Sequence, residues 1–230
     1  MENKTIKYFK YAIGEILLVV IGILIALQIN NWYQNITFKN ELKQIVKEAS
    51  NDLKQDIGFL NMRIKGAEAT IYSLDNLLKN GNKMPLESLL SDFQQVHRYS
   101  YFVPINFAYS KLNKHPRTEL LPNNLTNNLT SYHSGFSSER NKIVSETLTL
   151  YSLNLFRNYL IKYGYPLEQE GLKRPEDLSN LNLIINDTEF IGILRNAKSN
   201  WSAELSMLII ARELANKNLE IINNYLLSTN

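Results

Sequence analysis

The sequence predicts an all-α protein: a single N-terminal transmembrane helix followed by an elongated helical bundle with long, stalk-like helices. Three observations carry that reading. Near the N-terminus the apolar run from Ile16 to Leu27 is unbroken by any charge. Beyond it, apolar residues recur in steps of three and four over tens of residues, the period of a helix face. No stretch sustains the alternation of a β-strand, and there is no internal repeat or low-complexity tract.

The chain has 230 residues, 44% of them hydrophobic and 20% charged, with a formal net charge of +3. That length allows one domain, or one domain with an appendage. The absence of cysteine excludes a disulfide scaffold, a zinc-thiolate site, a thiolate nucleophile and a lipid-modified cysteine. A charge so near neutral argues against a nucleic-acid binder, which would carry a basic stripe.

The first element is the anchor. The segment from Tyr11 to Asn31 has the ~20 residues that a helix needs to cross a bilayer core. Tyr8, Phe9 and Tyr11 lie at one end and Trp32 and Tyr33 at the other, where aromatic rings favour the headgroup zone. A cleaved leader would need small residues three and one before the cut, and no such pair follows Ala26. Lys4, Lys7 and Lys10 precede the span against Lys39 and Lys43 behind it, which favours a cytoplasmic N-terminus. The expected organisation is therefore a cytoplasmic tail at 1–10, an anchor at 11–33 and an extracytoplasmic helical domain at 34–230. Within the span Glu15 shares a helix stripe with Val19, Gly22 and Ala26, in steps of four, three and four. Two readings of it stand. Gly22 and Ala26 let another helix approach closely, with Glu15 bonded across that face; or Glu15 snorkels to the headgroups.

The second element is a long stripe running Leu42, Val46, Ala49, Leu53, Ile57, Leu60, Ile64, Ala67, Ile71, Leu74 and Leu78. It predicts one helix face held for about ten turns, stopped at Asn80-Gly81. No proline or glycine stands between Gly22 and Gly58, so the helix is expected to continue from the span as a stalk. A shorter helix follows from Pro85 to about Arg98, using Leu86, Leu89, Leu90, Phe93 and Val96. Tyr99 to Pro122, with three prolines and the aromatics Tyr99, Tyr101, Phe102, Phe107 and Tyr109, reads as irregular. A further helical pattern begins after Pro122 and closes at Gly164, with a kink or break at Gly135. The loop from Tyr165 to Ile185 precedes the last helix. There Asn186-Asp187-Thr188-Glu189 reads as a capping box, leading into Phe190, Leu194, Ala197, Trp201, Leu205, Leu208, Ala211, Ala215, Leu219, Ile222 and Leu226.

At KYFKYAIGEILLVVIGILIALQINNW, Lys7 to Trp32, the chain resembles a large family of uncharacterised single-pass membrane proteins of Gram-negative bacteria. Fainter similarity lies at Phe107 to Leu112, where the family has a Tyr-x-x-Leu turn, and at Asn186 to Phe190. After that turn the family has a glycine where this chain carries Pro116. The resemblance implies an inner-membrane anchor and a periplasmic helical domain, and it implies no activity.

Chemistry is sparse. No phosphate-binding glycine loop, His-Glu-x-x-His helix or nucleophile elbow is present. His97, His115 and His133 are evenly spaced but offer no short-range ligand pair, so no metal site is expected. No catalytic residue, cofactor, metal or small-molecule substrate is assigned, and the chain is read as a non-enzyme. The aromatic segment from 99 to 109 either lines a pocket or packs as core. Expected partners are the lipid bilayer and either a second copy or another membrane protein. A structural or partner-binding role is expected ahead of ligand sensing, since about ten residues precede the span and no signalling domain fits there.

Overall fold

The structure, a computed structural model, describes residues 2–97, 102–136, 147, 155–164, 167–168, 171–172 and 179–229. Its axis is α1, Glu2–Asn80, a single helix of 79 residues. At 1.5 Å per residue it is ~120 Å long. The span and the stalk are therefore one rod. Gly58 and Gly66 do not interrupt it, because the apolar face on either side is held by packing rather than by propensity.

α1 changes environment along its length. From Ile13 to Tyr33 every side chain is exposed, apolar residues included. From Leu42 onward Val46, Ala49, Leu53, Leu60, Ile64, Ala67 and Leu74 are buried. Ile57, Ile71 and Leu78, on the same stripe, are half-buried at its edge. The rod ends at Asn80 because the chain must turn where Ile185 approaches. A Cβ on Gly81 would stand 2.4 Å from the Ile185 Cγ1.

Against α1 lies α7, Thr188–Ser228, running antiparallel. Lys198 meets Asp75 at 2.6 Å, Arg212 meets Asn61 at 3.3 Å and Lys43 donates to the Thr229 carbonyl at 3.0 Å. The far end of α7 therefore returns to the level of residue 43, just above the apolar collar. Phe190, Leu194, Ala197, Trp201, Leu208, Ala211, Ala215 and Ile222 are buried as expected. Leu205, Leu219 and Leu226 are only half-buried. The groove between two packed helices takes Glu204 and Asn218 instead.

The remaining elements pack along this pair. α2, Leu86–His97, runs back down α1, with Ser73 donating to Asp92 at 2.7 Å and Gln95 to Thr70 at 3.1 Å. The stretch read as irregular contains α3, Phe107–Lys114, and a 3-10 turn at Thr118–Leu120. Three prolines in one segment obscured a helix of eight residues lying between two of them. α4, Asn123–Gly135, stops where Gly135 predicts a break. Its continuation at Ile143, Leu148 and Tyr151 lies outside the described residues. α5, Phe156–Lys162, closes on Gly164, whose φ of 82° is the left-handed conformation that favours glycine.

The loop before the last helix is also more ordered than expected. Leu167–Glu168 pairs antiparallel with Gly171–Leu172, and α6 spans Asn180–Ile185. The cap of α7 sits one residue later than the sequence suggested. Asn186 follows α6, and Asp187 accepts from the Glu189 and Phe190 N–H groups. Glu189 then lies too early to close a capping box, and it accepts from the Tyr159 hydroxyl at 2.6 Å. At this end Phe93, Phe156 and Phe190 meet with ring centroids 5.5–5.8 Å apart.

Candidate functional site

The structure gathers Glu15, Val19, Gly22 and Ala26 on one side of α1, all four exposed. A Cβ built on Gly22 meets nothing within 4 Å, so no described residue covers this face. The surrounding turns present Ile16, Leu17, Leu18, Val20, Ile21, Ile23, Leu24 and Ile25, all exposed. Among the described residues one helix, near the N-terminus, is thus long and apolar enough to cross a membrane, with a mean hydropathy of 2.3 over its most apolar window.

Just above the collar, α1 and the end of α7 frame a groove of about 440 Å³ lined by Ile36, Lys39, Asn40, Lys43, Leu120, Tyr225 and Thr229. The neighbouring turn is fastened through His115. Its Nδ1 accepts from the Arg117 N–H at 3.2 Å, its Nε2 faces the Glu41 carboxylate at 3.3 Å, and its ring meets Phe38 edge-on.

The most elaborate polar arrangement is buried. The strap leading into α3 is non-helical, so its N–H groups need acceptors. α1 supplies them. Asp56 accepts from the Ile105 N–H at 3.0 Å with one oxygen and from the Tyr132 hydroxyl at 2.9 Å with the other. Asp52 accepts from the Ala108 N–H at 2.9 Å, at the start of α3. Asp56 is fully buried, and burial lifts its carboxyl to about 6 from 3.8, against the pull of those two donors. The Tyr132 hydroxyl is pushed far up by burial and by the neighbouring carboxylate. His133 stacks on Tyr109 with centroids 4.2 Å apart, and burial lowers its imidazole to about 4. Both Asp56 oxygens are engaged and shut away from solvent. The arrangement fastens the strap to the rod rather than presenting a reactive group.

The aromatic segment divides. Phe102 is buried, Tyr109 lies against His133, and Phe107 is exposed beneath the Lys111 ammonium at 4.1 Å. Tyr99 and Tyr101 lie outside the described residues. His115 and His133 are engaged separately, and among the described residues no three metal-ligating side chains stand together. A polar groove of about 620 Å³ opens between α1 and α2, with Glu68, Tyr72, Asp92 and Gln95 in its lining.

Sequence reasoning missed Asp52, Asp56 and Tyr132 as a unit. The available signal was Asp56 itself. It stands three residues after Leu53 and four before Leu60, inside the apolar stripe, where a carboxylate demands a partner.

Together these features define a class: a small all-α body built on the outer part of one very long helix, whose inner part is an uncovered apolar collar. The family model described as "Family of unknown function (DUF6090)" matches residues 15–169, and the chain belongs to that family. The match starts in the collar and ends before α6, so it includes both the span-like face and the Asp56 fastening. No curated protein and no solved structure matches the chain.

Proposed function

We propose that the chain is a membrane-anchored scaffold that holds a partner at the cell envelope and does no chemistry of its own. In this reading it is a single-pass protein of a bacterial inner membrane, with residues 1–10 cytoplasmic, 11–33 in the bilayer and 34–230 periplasmic. The observation that carries it is the continuity of α1. An exposed apolar collar, intolerable in water, runs without a break into the core of a folded body. A stiff joint of that kind suits holding and spacing. The anchor face at Glu15, Val19, Gly22 and Ala26 is the partner contact inside the bilayer.

The groove at the base of the body favours a second reading, in which a ligand seated beside Lys39 and Tyr225 shifts α7 against α1. The signal would then pass to a separate membrane partner. Crosslinking in intact membranes, followed by identification of what is captured, separates the two. Capture that is unchanged on Leu120→Trp, which fills the groove, fits the scaffold; capture abolished by it fits the sensor. Protease added to intact spheroplasts should remove the body, and a body digested only after lysis overturns the orientation.

A further inference from the structure

α1 has a second face. Opposite its buried stripe, Asn51, Gln55, Gly58, Met62, Gly66 and Ala69 are all exposed, in steps of four, three, four, four and three. None is charged. Met62 is 62% exposed and Phe59 beside it 48%, large apolar side chains left in water on a folded body. A Cβ on Gly58 or Gly66 meets nothing within 4 Å.

This face is in phase with the anchor face. Asn51, Gln55, Gly58 and Met62 follow Glu15, Val19, Gly22 and Ala26 in order, each thirty-six residues later. At 3.6 residues per turn that interval is ten full turns, and α1 has no break along it. The two faces therefore point the same way from one rod, ~54 Å apart.

We propose that they form one self-association seam, occupied by α1 of a second copy lying parallel. The proposal rests on the reading above that the collar lies in a bilayer. A bilayer holds two copies the same way up and at the same depth, so each seam residue meets its own counterpart across a two-fold axis. Asn51 and Gln55 suit that meeting. An amide carries both a donor and an acceptor and can bond to its own image, whereas a charge would repel it. Buried amides play this part in parallel coiled coils, where they fix register. Gly22 and Gly58 let the two backbones close at both levels, and Met62 and Phe59 then leave water. Glu15 stands at the N-terminal, cytoplasmic end of the span, within a turn of the headgroups, where water screens it from its image. Any other partner would have to present matching surfaces at both heights and in the same phase. A second copy does so by construction.

The chain has no cysteine, which makes the test clean. Single substitutions Asn51→Cys, Gln55→Cys, Gly58→Cys and Met62→Cys are made in the full chain, oxidised in native membranes and read as disulfide-linked dimer. Asn127→Cys is the control, exposed on α4, which packs on the buried side of α1. Dimer several-fold stronger at the four seam positions than at Asn127, and reduced several-fold at Met62→Cys when Gly22→Ile is added, is the expected result. Gly22 has open space around it, so Gly22→Ile leaves the body intact. A chain that pellets with membranes yet links equally at all five positions, or at none, overturns the seam while the anchor stands. A chain recovered in the soluble fraction overturns the anchor reading, and the seam with it.

Discussion

Asp56 and His133 titrate in opposite senses over nearly the same range. The Asp56 carboxyl rises to about 6 from 3.8, so the folded state binds its proton more tightly than the unfolded chain does. Stability from this group therefore grows as pH falls through 6 and is complete near 4, a change of about 3 kcal/mol. His133 is lowered to about 4 from 6.5, so the unfolded chain binds its proton more tightly, and stability is lost as pH falls from 6.5 towards 4. The two slopes oppose each other. Asp56→Asn, which keeps an acceptor for the Ile105 N–H, should expose the histidine slope: urea midpoints that drop on acidification from pH 6.5 to 4.5. His133→Phe should expose the aspartate slope, with midpoints that rise over the same interval. Parallel profiles in the two variants would show that neither group titrates as its burial requires. A second contrast at this scale separates core from edge. Leu208→Asp places a carboxylate where the side chain is fully enclosed and should cost several kcal/mol. Leu205→Asp, at the half-buried edge, should cost far less in the same thermal melt.

Two helix ends have physical stops that can be tested. Gly81→Val would drive a branched Cβ against Ile185, already within contact of a bare methyl, and should cost about 1–3 kcal/mol. Asp187→Ala removes the cap of α7, worth about 1 kcal/mol, and deprives the Tyr163 hydroxyl of its acceptor, while Tyr159 keeps Glu189. The loss should be seen as earlier thermal unfolding, and it should exceed that of Thr188→Ala. What the sequence made legible was whatever repeats: the α1 stripe, α2 with Leu89, Leu90, Phe93 and Val96, and the α7 core all follow from a period of three and four. Glycine stops at 81, 135 and 164 were legible in position, but among them Gly164 alone has the left-handed φ, and Gly81 is demanded by the approach of Ile185. Contacts across the fold were not legible. Asp187 displaced Asn186 as the cap, where Tyr159 of α5 and Tyr163 just after it converge, and α3 was hidden because its first turn is held by Asp52 from a helix far away in sequence. The Glu15, Val19, Gly22 and Ala26 face was legible as a pattern on a helix. Its match with Asn51 to Met62 needed the knowledge that α1 has no break.

At the scale of the whole molecule, the body owes its stability to α1 and α7 with shorter helices laid on them, and the collar contributes nothing to that core. Residues 34–230 expressed alone should therefore be soluble and strongly helical by circular dichroism, with a melting temperature close to that of the full chain in detergent. A fragment that melts far below it would mean that the collar supports the fold. The continuity of α1 has a mechanical consequence. From Tyr33 to Asn80 the rod extends ~70 Å beyond the collar with no joint to absorb bending. Helices in bilayers tilt by about 20° on average, by amounts that depend on membrane thickness. With the collar in lipid, a tilt of that size carries the far end of the body ~24 Å sideways. On that reading the molecule would be a lever with its short arm in the bilayer, and a few ångströms of change in membrane thickness would become a large sweep at the tip where Phe93, Phe156 and Phe190 meet.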